Sequence, residues 1–236
     1  MSYCALKQLA SCLPKAVPKL IDSFSDTHPK VKNASLSALE ELTTVVRNPE
    51  IRTISSTLLN ALVDPAHGTL TALETMIHTE FLHSMDAPSL ALVCPILHRG
   101  LRDRAALTKR YAALIAGNIC TMIAEARDFY PYQDMLLTDI QYVLLDPIPD
   151  VRSTAAKAIG SLTRGLGEDK MPDLRQWLLD TLCGDLGSVE RSGAAQGLAE
   201  LIMASGTEMV EEVMLGKLLP LLTSHHTSVN TREGIL

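Results

Sequence analysis

An aspartate returns at near-even intervals along this chain of 236 residues. Asp26, Asp64, Asp103, Asp146 and Asp185 are spaced by 38, 39, 43 and 39 residues, and a further 39 leads to Ser224. Six residues past the anchor stands a cation in four cases, Lys32, Lys109, Arg152 and Arg191; Leu70 and Asn230 take the place in the other two. Thirteen residues past stand Leu39, Ile77, Ala116, Ile159 and Leu198, and sixteen past stand Leu42, Glu80, Ile119, Leu162 and Leu201. A period of about 40 residues is the mark of stacked helical pairs, in which no single pair has a core of its own. The second repeat, with Leu70 and Glu80, is the least regular.

Within each period the apolar spacing predicts helix, short turn, helix. First helices contain Pro18–Phe24, Ile51–Val63, Leu90–Leu101, Met135–Leu145, Leu174–Leu182 and Val210–Leu222; second helices follow each anchor, over Val31–Val46, Thr69–Leu82, Leu107–Ile123, Val151–Arg164, Val189–Met203 and from Val229 onward. Val151, Ala155, Ala158, Ile159 and Leu162 form one apolar stripe, and Ala155, Ala158, Ala194 and Gly197 permit close helix approach. Asn48-Pro49 and Asp86-Ala87-Pro88 supply a cap and an early proline. Pro95 and Pro220 fall inside first helices and should kink them. The expected fold is all-α, a right-handed solenoid of HEAT repeats with about six helix pairs, one segment over residues 1–236 with anchors near 26, 64, 103, 146, 185 and 224.

Composition narrows the function. Hydrophobic residues make up 47% and aromatics 4%, enough for a core and too few aromatics for an all-β barrel. No apolar run is long enough to span a membrane, and residues 1–13 lack a signal-peptide pattern. Five cysteines, an odd number without a CxxC pair, fit free thiols in a reducing cytosol rather than a disulfide frame or zinc knuckle. The Asn33-Ala34-Ser35 sequon reads as chance in such a chain.

No catalytic constellation emerges, and no cofactor or metal site is expected. GxxxxGK[ST], GxSxG and HExxH are all missing; Gly165–Lys170 has the wrong spacing for a phosphate loop and reads as a helix end. His78, Glu80 and His83 would point about 140° apart on a helix and are ordinary helix residues. His225-His226 reads as a solvated turn, and Met76, Met122, Met135, Met203, Met209 and Met214 as core filling. The pairs Asp26/Lys32, Asp103/Lys109, Asp146/Arg152 and Asp185/Arg191 read as a structural ladder that closes turns, caps second helices and bridges repeats.

One segment departs from the background. His98–Arg110 holds Arg99, Arg102, Arg104, Lys109 and Arg110 against a lone Asp103, a local charge of +4 in a chain of net charge −6, so the remaining residues carry −10. Arg99, Arg102, Arg104 and Arg110 exceed what one ladder pair needs. A solvated turn is one reading; contact with an anionic partner, ribosomal RNA or an acidic protein surface, is the other.

Several strings stand in a telling order: Ala5-Leu6-Lys7-Gln8, Ser11-Cys12-Leu13-Pro14, Val46–Ile51, Asp64–Thr69, Asp86–Leu92, Pro95–Arg104, Asp146–Arg152 and Val189–Leu198. The series resembles the central segment of the general-control translational activators, which is similar in turn to the HEAT region of elongation factor three. The resemblance covers nearly the whole chain. It implies a cytoplasmic, non-catalytic scaffold in translational stress signalling that binds ribosomes and an ABC-type ATPase partner. It also implies that the initiation-factor-two-alpha kinase is bound through a region not contained in this sequence. The ATPase cassettes of elongation factor three have no counterpart here. Periodicity alone would equally fit a nuclear-transport receptor or phosphatase scaffold, whereas a HEAT-type metalloenzyme needs repeated His-Glu pairs that this sequence lacks.

Tyr3–Leu13 reads as the second helix of a repeat lacking its first, and Val229–Leu236 as the start of another second helix. The expectation is a slice of a longer solenoid, open at both ends. Such a slice self-associates through its open apolar faces, so light scattering should show mass rising with concentration; a fixed monomer over a wide range would contradict this.

Overall fold

The computed structural model describes residues 6–224 and 227–235. Among these residues the regular elements are helical, apart from one isolated parallel bridge between Met85 and Ile123. The helices come in successive pairs: α1 (Leu6–Asp22) with α2 (Pro29–Val45), α3 (Pro49–Val63) with α4 (Pro65–His78), α5 (Ala87–Leu101) with α6 (Ala106–Cys120), α7 (Ala126–Leu144) with α8 (Pro149–Leu166), and α9 (Pro172–Cys183) with α10 (Ser188–Ser205). A last run passes from α11 (Thr207–Met209) through a π-helix (Val210–Leu218) into α12 (Leu219–Thr223), and α13 (Val229–Ile235) follows. Every anchor from Asp26 to Ser224 lies at the turn between the two helices of a pair. The fold class is the all-α, HEAT-type solenoid that the period predicts.

The chain forms two compact units, Met1–Ile115 with Met122–Thr138, and Ala116–Thr121 with Asp139–Leu236. In the first, α5 packs against α1, α3 and α4. It is apolar nearly all round, as a helix covered on several sides must be, and Leu90, Leu92, Ile96 and Leu97 are fully buried. In the second, α10 packs on α8 and α9. A Cβ on Gly193 would lie 2.0 Å from the Leu144 carbonyl oxygen, so only glycine admits this helix approach.

Helix starts follow the sequence signals. The Asn48 side-chain carbonyl accepts from the Ile51 N–H at 2.7 Å, and the Asp86 carboxylate from Ser89 N–H at 3.2 Å, each satisfying a free first-turn donor. α8 ends at Gly167, whose φ of 91° suits glycine.

Four expectations need correction. Residues 6–13 do not form a helix separate from Pro18–Phe24: α1 runs unbroken through Pro14 and Pro18. Leu9, Leu13 and Val17 lie one helical turn apart and are all buried, and this stripe offsets the hydrogen bonds the prolines forgo. The second helix of the second repeat ends at His78 rather than Leu82. Its buried side is Thr69, Ala72, Leu73 and Met76, and the helix stops short of Glu80, which explains why that position is acidic. The Val210–Leu222 helix includes a π segment, and Pro220 stands just past it, in the first turn of α12. Finally, Met203 and Met214 are exposed rather than core-filling, whereas Met76 and Met209 are buried. His225-His226 and residues 1–5 lie outside the described residues.

Three of the turns inside the pairs share one chemistry. Asp26, Asp103 and Asp146 each accept from the backbone N–H two residues on, at 2.7, 2.7 and 2.9 Å, closing an Asx turn. In the fourth and fifth pairs the cation reaches back to its own turn: Arg152 donates to the carbonyls of Asp146 at 2.8 Å and Pro147 at 3.0 Å, and Arg191 donates to the Leu186 carbonyl. Arg152 and Arg191 are buried, while Asp26 and Lys32 at the equivalent turn of the first pair are exposed.

The link between α2 and α3 is tied to the link between α4 and α5. Arg47 N–H donates to the Asp86 carboxylate at 2.9 Å, and the Asn48 amide donates to the His83 carbonyl at 2.9 Å. Glu50 meets His83 Nδ1 at 2.7 Å, with the Glu50 side chain only 14% exposed. Burial alone would raise the Glu50 carboxyl; the hydrogen bond and charge of His83 outweigh it and hold it below the ordinary glutamate value.

Two outcomes are expected. Arg152→Ala strands two turn carbonyls and should lower stability by about 1.5–3 kcal/mol, whereas Lys32→Ala at the exposed turn should stay within about 0.5 kcal/mol; urea denaturation measures both. A carboxyl lowered on folding contributes stability that is present above its unfolded value and lost as pH falls. The melting temperature should therefore drop through the carboxylate range, and Glu50→Gln should flatten part of that drop.

Candidate nucleic-acid interface

The arginine-rich segment forms the end of α5 and the turn into α6. α5 closes with Arg102 as its C-cap, whose N–H donates to the carbonyls of His98 at 3.3 Å and Arg99 at 3.1 Å. Asp103 then accepts from Ala105 N–H, and α6 starts at Ala106. Cations at a helix C-terminus are favoured by the carbonyl dipoles there, so the fold stabilises arginine at this turn before any ligand is considered.

The end of α5 sits close to α4 and α6 because residue 100 is glycine. A Cβ there would lie 2.8 Å from Ala112 Cβ and 2.9 Å from Leu73 Cδ1. Beside it an open groove of about 610 Å³ is lined by the start of α4 (Pro65, Ala66, Thr69), the last turn of α5 (His98, Arg99) and the following turn (Arg102, Asp103, Arg104).

The four arginines are not equivalent. Arg99 is partly buried and donates through Nη1 to the Ala61 carbonyl at 3.1 Å, which fixes it on the groove wall. Burial pulls its guanidinium below the ordinary arginine value, and the charge of Asp22 opposes that. Arg102 and Arg104 are exposed at the rim. Arg110 is exposed on α6 and does not line the groove. Thr69 spends its hydroxyl on the Pro65 carbonyl at 2.7 Å.

The remaining polar residues do not assemble into a reactive centre. His78 ends α4, Glu80 is exposed, and His83 pairs with Glu50, so the three are apart in role and place. His67 pairs with Asp64 at 2.9 Å, which holds the Asp64 carboxyl below its ordinary value. Among the described residues no group of three or more His, Cys, Asp or Glu is placed to hold a metal ion, and no helix is long and apolar enough to cross a membrane. Burial pushes the Cys120 thiol well above its usual value, which makes it a poor nucleophile.

The sequence showed the arginines but not the opposite wall. Pro65, Ala66 and Thr69 carry no chemical signal of their own. What could have found them is the period itself: Arg99 bonds to Ala61, 38 residues earlier, one repeat away.

Residues 67–173 match the family described as elongation factor 3/GNC1 HEAT repeat. The whole chain is 49% identical over 244 aligned residues to Protein ILITYHIA of Arabidopsis thaliana, of which it covers 9%. It is 46% identical to the human stalled ribosome sensor GCN1, over 91% of this chain and 8% of that protein. It is 39% identical to the eIF-2-alpha kinase activator GCN1 of Saccharomyces cerevisiae, over 100% of this chain and 9% of that protein. The chain thus spans less than a tenth of the length of each of these three relatives. Over residues 67–173 it belongs to the elongation factor 3/GNC1 HEAT-repeat family, and along its whole length it is similar to a segment of GCN1 proteins.

Proposed function

We propose that this chain is a non-catalytic scaffold segment in translational control, acting in the cytoplasm as part of the response to amino-acid starvation. In this reading it contacts the ribosome, and an ABC-type ATPase partner docks on the same segment, while the initiation-factor-two-alpha kinase is engaged elsewhere. One observation carries the reading: similarity over nine-tenths or more of the chain to proteins named as a stalled ribosome sensor and as an eIF-2-alpha kinase activator. The site geometry supports it. A turn with exposed arginines on a chain of net charge −6 gives one face that attracts a polyanion while the rest repels it, which orients approach. The helices present surfaces rather than a substrate cavity, and the groove is open.

The chain should cosediment with purified ribosomes at low salt and be released as salt rises. Replacing the exposed Arg104 and Arg110 together by alanine should reduce cosedimentation several-fold. The melting temperature should hardly move, because exposed cations outside a buried network contribute under about 0.5 kcal/mol. A parent chain that stays in the supernatant at low salt would overturn the ribosome-binding reading.

A further inference from the structure

We propose that the outward face of α6, formed by Leu107, Tyr111 and Leu114 with Arg110 beside them, docks an acidic amphipathic helix of a partner protein. This goes beyond the ribosome reading and does not rest on it. Arg110 serves both, whereas the two leucines serve this face alone.

α6 inverts the usual order of polar and apolar residues. Thr108 and Lys109 are buried, at 3% and 8% exposure, while Leu107 and Leu114 are 41% and 43% exposed. One exposed leucine is ordinary; a buried polar pair and an exposed apolar pair on the same helix is not. The leucines are seven residues apart, so they lie within about 20° of each other around the helix and about 10 Å apart along it. Tyr111, half-buried, falls between them, about 40° from Leu107. The side of α6 turned to the core is filled by Ala112, Ala113 and Ile115. The helix thus carries a second apolar stripe that the fold leaves uncovered. Leu107, Tyr111 and Leu114 recur at spacings of four and three, the d, a, d pattern by which two helices pack side by side. In that register Arg110 stands at g, the edge position that pairs with a charge on the facing helix.

Charge names the partner. Residues 104–124 hold Arg104, Lys109 and Arg110 and no acid. Arg104 and Arg110 are exposed, and neither has an ion-pair partner among the described residues. A leucine seam edged by cations is matched by a helix with apolar a and d positions and glutamates beside them. Phosphate would take up the arginines but leave both leucines in water, whereas a partner helix uses arginine and leucine together.

The test uses the full chain and a fluorescein-labelled synthetic helix of about three heptads, with leucine at a and d and glutamate at e and g, whose like charges keep it from pairing with itself. A second peptide carries lysine at e and g. By anisotropy the glutamate peptide should bind about tenfold tighter than the lysine peptide. That is the reverse of what overall charge favours in a chain at −6. Arg110→Glu should weaken the glutamate peptide and strengthen the lysine peptide, each several-fold. Leu107→Gln with Leu114→Gln should weaken both peptides several-fold and leave ribosome cosedimentation as in the parent. The charge reversal at the exposed Arg110 keeps the test decisive even where the leucine changes lower the melting temperature. The proposal is overturned if the parent binds neither peptide, if it prefers the lysine peptide, or if Arg110→Glu leaves the preference unchanged. It is equally overturned if oligouridylate at equal charge concentration displaces the glutamate peptide, which gives the face to nucleic acid. A parent that binds the glutamate peptide yet does not cosediment with ribosomes sinks the ribosome reading and leaves this one standing.

Discussion

A pair of helices this short cannot bury its own apolar face, and the rest of the structure follows from that constraint. Each pair must lie against another closely enough to exclude water along its length. α5 shows the outcome in the first unit, with residues from Ala87 to Leu101 buried on nearly every side against α1, α3 and α4. Close approach selects small residues at the crossing points. Gly193 against the Leu144 carbonyl and Gly100 against Leu73 and Ala112 leave no space for a Cβ. The low aromatic content, 4%, belongs to the same logic, since flat helix-on-helix contacts are filled by leucine, isoleucine and alanine.

Turns between paired helices carry a second, polar repeat. At Asp26, Asp103 and Asp146 the aspartate closes the turn on a backbone N–H, and in the fourth and fifth pairs a buried arginine, Arg152 or Arg191, returns to the turn carbonyls. This gives buried carbonyls a partner with several donors, where water would otherwise be needed. The third pair keeps the aspartate, Asp103, and adds cations around it. The candidate interface is thus an elaboration of a structural turn, at a place where the α5 carbonyl dipoles already favour positive charge.

Much of this was legible because the repeat period becomes a contact distance. Arg47 meets Asp86 39 residues away, Arg99 meets Ala61 38 away, and Arg175 meets Glu212 37 away. Fold class, helix pairing, caps and the cationic turn all followed from spacing. What did not follow has a common cause: local rules were overridden by packing. Pro14 and Pro18 lie inside α1 because Leu9, Leu13 and Val17 hold one buried stripe across them. The early end of α4 depends on which side of the helix its neighbours cover, and the nine-residue π segment from Val210 to Leu218 has no signature in composition or periodicity. The groove wall at Pro65, Ala66 and Thr69 was hidden because its residues are chemically plain and act by position.

Arg99 joins the fold to the candidate interface. Its hydrogen bond to the Ala61 carbonyl spans one repeat, so the residue fastens α5 to α3 while holding a cation at the groove. A side chain free in solvent would lose rotamer entropy on meeting an anion; Arg99 has lost most of it during folding. Its partial burial disfavours the charged form, and the nearby charge of Asp22 counters that without closing the groove. Arg102 and Arg104 are exposed at the rim, where an extended polyanion first arrives. The repeat architecture thereby sets one arginine on the groove wall and two at the exposed rim of a single turn, a distinction that the four arginines do not show when read as a run of charge.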